Sequence, residues 1–250
     1  MPYFRDQVVH ELTSLYEFLV TMYLPDGALK YPPMPGGWPQ ISAERLSFMK
    51  KADAVIDLMK HIPYIRQDWD DPAGDPYQVH EGSICNDYSG NYFQDVSSEY
   101  QYDCDWQPLG DLEPPPHVLT LWRPPAPTRG WTVSINTKTG ELRRDRVICG
   151  ARYDYADIKE FCEFVKEEFQ ALVCVPTQPE NVSVVSSHPA TEMAAAVPSV
   201  KDIYIQCGWP SSSFRKQECA SRVKAIMDEV EKEFELRDER NRAQKALNEA

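Results

Sequence analysis

No lysine or arginine occurs between Gln67 and Trp122, although twelve aspartates and glutamates fall in that stretch. Of the net charge of −13, this one segment carries −12, so the rest of the chain is close to neutral. A surface of that sign repels phosphate backbones and anionic lipid, which argues against nucleic-acid or membrane binding. It attracts cations or a basic protein.

Other absences narrow the field further. No window approaches the run of about 18 apolar residues that crosses a bilayer. The N-terminal MPYFRDQVVHELTSLYEFLV has acidic residues where a signal peptide has a basic n-region, which predicts an intracellular protein, cytoplasmic or nuclear. The seven cysteines never approach within CxxC spacing and are odd in number, so a zinc ribbon, a thioredoxin-like pair and a complete disulfide framework are all disfavoured. Reduced, buried thiols are the expectation. The phosphate-cradling patterns GxGxxG and GxxxxGK[ST] are missing, as is the GxSxG elbow, so neither a cofactor nor a catalytic residue is assigned.

What is present is ample for a core, with 42% hydrophobic and 11% aromatic residues over 250 positions. Val8, Leu12, Leu15, Leu19 and Met22 share one helical face, and LPDG ends that helix. ALKYPPMPGGWPQIS reads as an extended connector, after which Ser42 is placed to cap a helix over 46 to 60. YQVHEGSICNDY contains short strands, HVLTLW is a strand, and GWTVSINTKTGELRRDRVI is a hairpin with Gly140 at its turn. Asp154 is placed to cap a helix striped with Ile158, Phe161, Cys162, Val165, Phe169 and Leu172. Residues 176 to 200 read as a linker or loop, DIYIQCGW as a strand, and the remainder as a long C-terminal helix that becomes polar after Leu236. The fold expected is α+β: an antiparallel or mixed central sheet flanked by helices. Its core spans 1 to 175, with the acidic aromatic segment 67 to 122 inside it, and 201 to 250 pack onto that core.

The chemistry-bearing candidates crowd into ICNDYSGNYFQDVSSEYQYDCDW, residues 84 to 106. Asp103-Cys104-Asp105 starts like a calcium loop but continues with Gln107 and Pro108, which breaks the EF-hand pattern. His80, Cys85 and Asp87 mix ligand types suited to a transition metal. Asp87, Asp95, Asp103 and Asp105, interleaved with aromatics, could line a hydrolase cleft. A binding surface fits the same residues: Asp87, Tyr88, Tyr92, Asp95, Tyr102, Asp103, Asp105 and Trp106 combine aromatic contact area with charge that steers a basic protein partner.

LKYPPMPGGWPQIS before a helix ending in HIPYI, then YQVHEGSICNDYSG, then WTVSINTKTGEL leading into YADIKEFCEFVKEEF, together resemble a group of filamentous-fungal proteins of uncharacterised function. The last piece is also similar to the SUKH superfamily, where a strand, a TG turn and a second strand precede a helix of the type SFxEFL. That superfamily holds cell-wall-synthesis regulators and toxin-immunity proteins, which are non-catalytic α+β binding modules. The resemblance implies a protein-interaction role by analogy of fold and carries no catalytic residue.

Overall fold

A computed structural model describes residues 3 to 66, 75 to 90, 115 to 125, 130 to 146, 150 to 185 and 192 to 248. The chain divides into two compact units, the first of residues 1 to 167 and 179 to 181, the second of 168 to 178 and 182 to 250. It is α+β, and no helix among the described residues is long and apolar enough to cross a membrane.

The first unit opens with α1 (Arg5–Met22), which buries Val8, Leu12, Leu15, Tyr16, Leu19 and Met22, the face its spacing predicts. The extended connector supplies β1 (Leu29–Lys30), which pairs antiparallel with β2 (Tyr64–Ile65) and sets Lys30 opposite Tyr64. The helix expected over 46 to 60 is shorter, α2 (Asp53–His61). Ser42 caps only an isolated turn, accepting the Arg45 N–H at 3.3 Å, and Lys50 then takes a left-handed φ of 50° that no α-helix can continue.

Six strands make one antiparallel sheet in chain order: β3 (Gln78–His80), β4 (Ser83–Cys85), β5 (Val118–Arg123), β6 (Thr132–Asn136), β7 (Leu142–Arg146) and β8 (Ala151–Tyr155). The β6–β7 hairpin turns as its sequence predicts, with Gly140 at φ 80° and its N–H on the Asn136 carbonyl at 2.8 Å. β8 was not expected, because ARYDY has few apolar residues; it is an edge strand whose three central side chains are exposed. With Asp154 inside that strand, Asp157 caps α3 (Ile158–Gln170) instead: its carboxylate accepts the Glu160 N–H at 3.0 Å, and Glu160 reaches back to the Ala156 N–H at 2.7 Å.

One face of the sheet is apolar, with Leu119, Val133, Ile135, Leu142 and Tyr155 buried on it. Trp122 joins them across a bulge and meets the Phe161 ring of α3 at 5.1 Å. The opposite face presents Val118, Ser134, Asn136, Arg143, Arg152 and Asp154, which the strand register sets beside one another.

The second unit holds the hairpin strand β9 (Cys174–Gln178) and most of β10 (Asn181–Val184), then α4 (Glu192–Gln206) and α5 (Lys216–Asn248). A linker was expected over 176 to 200 and a strand at DIYIQCGW; among the described residues, 176 to 178 and 181 to 184 are strand, and α4 runs from Glu192 through Gln206. Ile203 and Ile205 alternate as a strand would, but Val197, Val200, Ile203, Tyr204 and Cys207 are buried at helical spacing while Ile205 is exposed. Trp209 and Phe214 close the turn after α4, their rings 5.1 Å apart.

Candidate functional site

β4 and β5 are hydrogen-bonded antiparallel neighbours, with Ile84 opposite Arg123 and Cys85 opposite Trp122. Two to five residues suffice to join such a pair. Here 32 residues, 86 to 117, connect them, with seven acids, six aromatics and no lysine or arginine. Tyr92, Asp95, Tyr102, Asp103, Asp105 and Trp106 belong to this connection and lie outside the described residues. Its two ends are described, and each is firmly held.

At the outgoing end, Asp87 and Tyr88 are buried, at 6% and 2% exposure. Lys30 Nζ lies 2.6 Å from Asp87 Oδ2, while Asp87 Oδ1 accepts the Ser89 N–H at 3.0 Å and the Ser89 hydroxyl at 2.6 Å. The carboxylate is thus paired and hydrogen-bonded, as a buried charge must be. Lys30 also sits 5.6 Å from the centre of the Trp38 ring. The Tyr88 hydroxyl donates to the Thr120 carbonyl at 2.9 Å and accepts from Asn86 Nδ2 at 2.7 Å, and Arg123 Nε donates to Asn86 Oδ1 at 3.2 Å. The Tyr88 ring meets Tyr64 edge-on at 6.3 Å. Sequence reasoning grouped Asp87 and Tyr88 with the surface residues; the structure places both in the interior, anchoring the connection where it leaves the sheet.

Behind this anchor runs a buried polar chain. Trp122 Nε1 donates to the Tyr16 hydroxyl at 3.0 Å, which donates to Cys85 Sγ at 3.6 Å, and the Ile65 N–H reaches the same sulfur at 3.5 Å. Burial, helped by the nearby Asp87 charge, pushes the Cys85 thiol up to about 12. It stays protonated and inert near neutral pH. His80 is buried against Trp122 and has Arg144 Nη2 at 3.3 Å from Nε2. Of the residues grouped above as metal ligands, Cys85 is met by the Tyr16 hydroxyl and the Ile65 N–H, and Asp87 by Lys30 and Ser89. Glu81 is bound to Arg146 at 2.8 Å.

At the returning end, the Ala52 N–H donates to the Pro116 carbonyl at 2.7 Å and Thr137 donates to the His117 carbonyl through both its N–H, at 2.8 Å, and its hydroxyl, at 3.0 Å. Lys51 Nζ reaches the Val118 carbonyl at 2.9 Å. Beside it, the polar face of the sheet forms an open groove of about 480 Å³ lined by Pro115, His117, Ser134, Asn136, Arg143 and Asp154 among others. Its two arginines pair along their own strands, Arg143 with Asp145 at 2.6 Å and Arg152 with Asp154 at 3.1 Å, and Glu141 accepts the Thr139 hydroxyl at 2.9 Å. Burial, and then Lys138 and Lys51, lower the His117 pKa, so this imidazole is neutral at pH 7.

Three residues carry weight here that sequence reasoning did not single out. Lys30 lay in the proline-rich connector with no spacing that tied it to Asp87. Tyr16 sat on the apolar face of α1 as one more core residue. Arg144 lay unremarked within the hairpin stretch, yet it is buried with its guanidinium 3.9 Å from the centre of the Trp131 ring. The alternation Leu142, Arg144, Arg146 was the available signal, since it puts Arg144 on the inner face.

No protein-family model, no curated protein and no solved structure matches this chain.

Proposed function

We propose that this protein is a non-enzymatic interaction or regulatory module that engages a basic protein partner through the acidic aromatic connection between β4 and β5, inside the cell. The observation that carries this is the 32-residue connection between two hydrogen-bonded antiparallel neighbours. A sheet that needs a short turn there gains nothing in stability from a long one, since loop closure becomes costlier with length. Long connections on rigid frames are where binding residues concentrate. Of the seven acids in it, Asp87 is neutralised by Lys30, which leaves six acids with aromatics between them. Asp95, Tyr102, Asp103, Asp105 and Trp106 are the proposed contact residues, with Tyr92 beside them. Asp87 and Tyr88 position them from within.

The likeness of the hairpin and helix to SUKH-type binding modules points the same way by analogy of fold. Against a hydrolase or metal enzyme built on residues 81 to 105 stands the state of its described carboxylates: Glu81 and Asp87 are each held by a cation. The test is quantitative recovery of bound protein by the wild type and by Asp103→Asn/Asp105→Asn, with elution by stepped salt. A basic partner elutes with rising salt and is recovered at least about tenfold less by the variant, because its binding is screened over the Debye length. Equal recovery by both proteins overturns the proposal. A calcium, magnesium, manganese or zinc thermal shift that the variant loses moves the enzyme reading ahead.

A further inference from the structure

The C-terminal helix points to a second copy of this chain. Within the second unit, α5 buries Cys219, Val223 and Met227, and Val230 is half-buried. From Glu231 to Arg242, and again at Lys245, every side chain is exposed. Phe234 at 52% and Leu236 at 45% exposure are among the large apolar residues left in solvent. The 18 residues from 228 to 245 span about 27 Å.

Its charge is distributed in two blocks. DEVEKEFE, residues 228 to 235, has five acids and one lysine, while LRDERNRAQK, residues 236 to 245, has four basic and two acidic residues. The first block carries −4 and the second +2. Within the helix, Lys224 pairs with Asp228 at 2.8 Å and Arg242 with Asp238 at 3.0 Å, and the opposite net charges of the two blocks remain. Laying a second copy parallel would set acid on acid. Laying it antiparallel sets each acidic block on the other copy's basic block, twice by the twofold axis.

We infer that α5 pairs with α5 of a second copy in antiparallel orientation over residues 228 to 245, covering Val230 and Phe234, which share one helical face. Arg237 lies over the Phe234 ring at 5.9 Å, which sets a cation beside that seam. This interface is independent of the acidic connection between β4 and β5.

Sedimentation equilibrium of the full chain over about 1 to 200 µM decides it. The wild type is expected to dimerise, and to do so less as salt rises. Reversing the acidic block alone, with Glu229, Glu231, Glu233 and Glu235 all changed to lysine, is expected to weaken the dimer at least about tenfold. Changing Arg237, Arg240, Arg242 and Lys245 to glutamate in that same variant exchanges the blocks and is expected to restore the dimer. All these side chains are exposed, and thermal melting of each variant checks that folding is intact. A wild type monomeric throughout overturns the inference and leaves a solvated helix; so does a dimer that block reversal leaves unchanged.

Discussion

Replacing Lys30 with methionine keeps the stem of the side chain and removes the only cation the structure places on the Asp87 carboxylate among the described residues. That carboxylate is 4% exposed and Lys30 27%, so the pair lies largely out of water. Breaking a buried pair from one side costs about 3 to 5 kcal/mol, because the remaining charge stays desolvated. The two hydrogen bonds from Ser89 survive, which puts the expected loss at the low end, about 3 kcal/mol. For a chain of this size about 3 kcal/mol lowers Tm by roughly 6 to 12 °C. Asp87→Asn retains a group that Ser89 can bond and leaves Lys30 a path to solvent, so about 1 to 2 kcal/mol is expected. The double variant should lose less than the sum of the two, with a coupling of about 2 kcal/mol by urea unfolding. Additive losses, or a Lys30→Met loss below about 0.5 kcal/mol, would refute the claim that this pair anchors the connection.

Three further outcomes are expected. Tyr16→Phe strips the acceptor from the buried Trp122 N–H and one donor from Cys85, and should cost about 1 to 3 kcal/mol in urea melts. Gly37→Ala should cost more than about 2 kcal/mol, since φ is +69° and an added Cβ would run into the Lys60 carbonyl oxygen. Cys85 keeps its proton in the fold to about pH 12, whereas an unfolded thiol ionises near pH 8.5. Its stabilising share is therefore full below about 8.5 and falls by about 1.4 kcal/mol per pH unit above it. The stability gap between wild type and Cys85→Ala should narrow by about 2.3 kcal/mol between pH 8.5 and 10.5, and a constant gap would contradict the burial of this thiol.

The elements with a clean period were legible in the sequence. α1, the β6–β7 hairpin and the stripe of α3 follow from apolar spacing and one glycine, because local pattern and tertiary burial agree there. The misread elements are those where tertiary context decided. ARYDY forms a strand because β7 offers it a hydrogen-bonded edge, and DIYIQ is helical because Ile203 and Tyr204 together face the interior. For the site, charge and aromatic content were visible but burial was not. Asp87 and Tyr88 read like the acids and tyrosines that follow them, and only the position of Lys30 on β1, opposite Tyr64, separates them from the rest. A partner 57 positions away in the chain leaves no local signal.

The most direct test of the proposed function replaces residues 92 to 113 with a short glycine and serine linker, leaving the Asp87 and Pro116 anchors in place. Binding of a lysine- and arginine-rich partner is then titrated against wild type by calorimetry at two salt concentrations. The account predicts an unchanged or slightly higher Tm, because loop closure becomes cheaper, together with loss of binding. Full affinity in the shortened protein would contradict the account, since the acidic connection would then play no part in recognition.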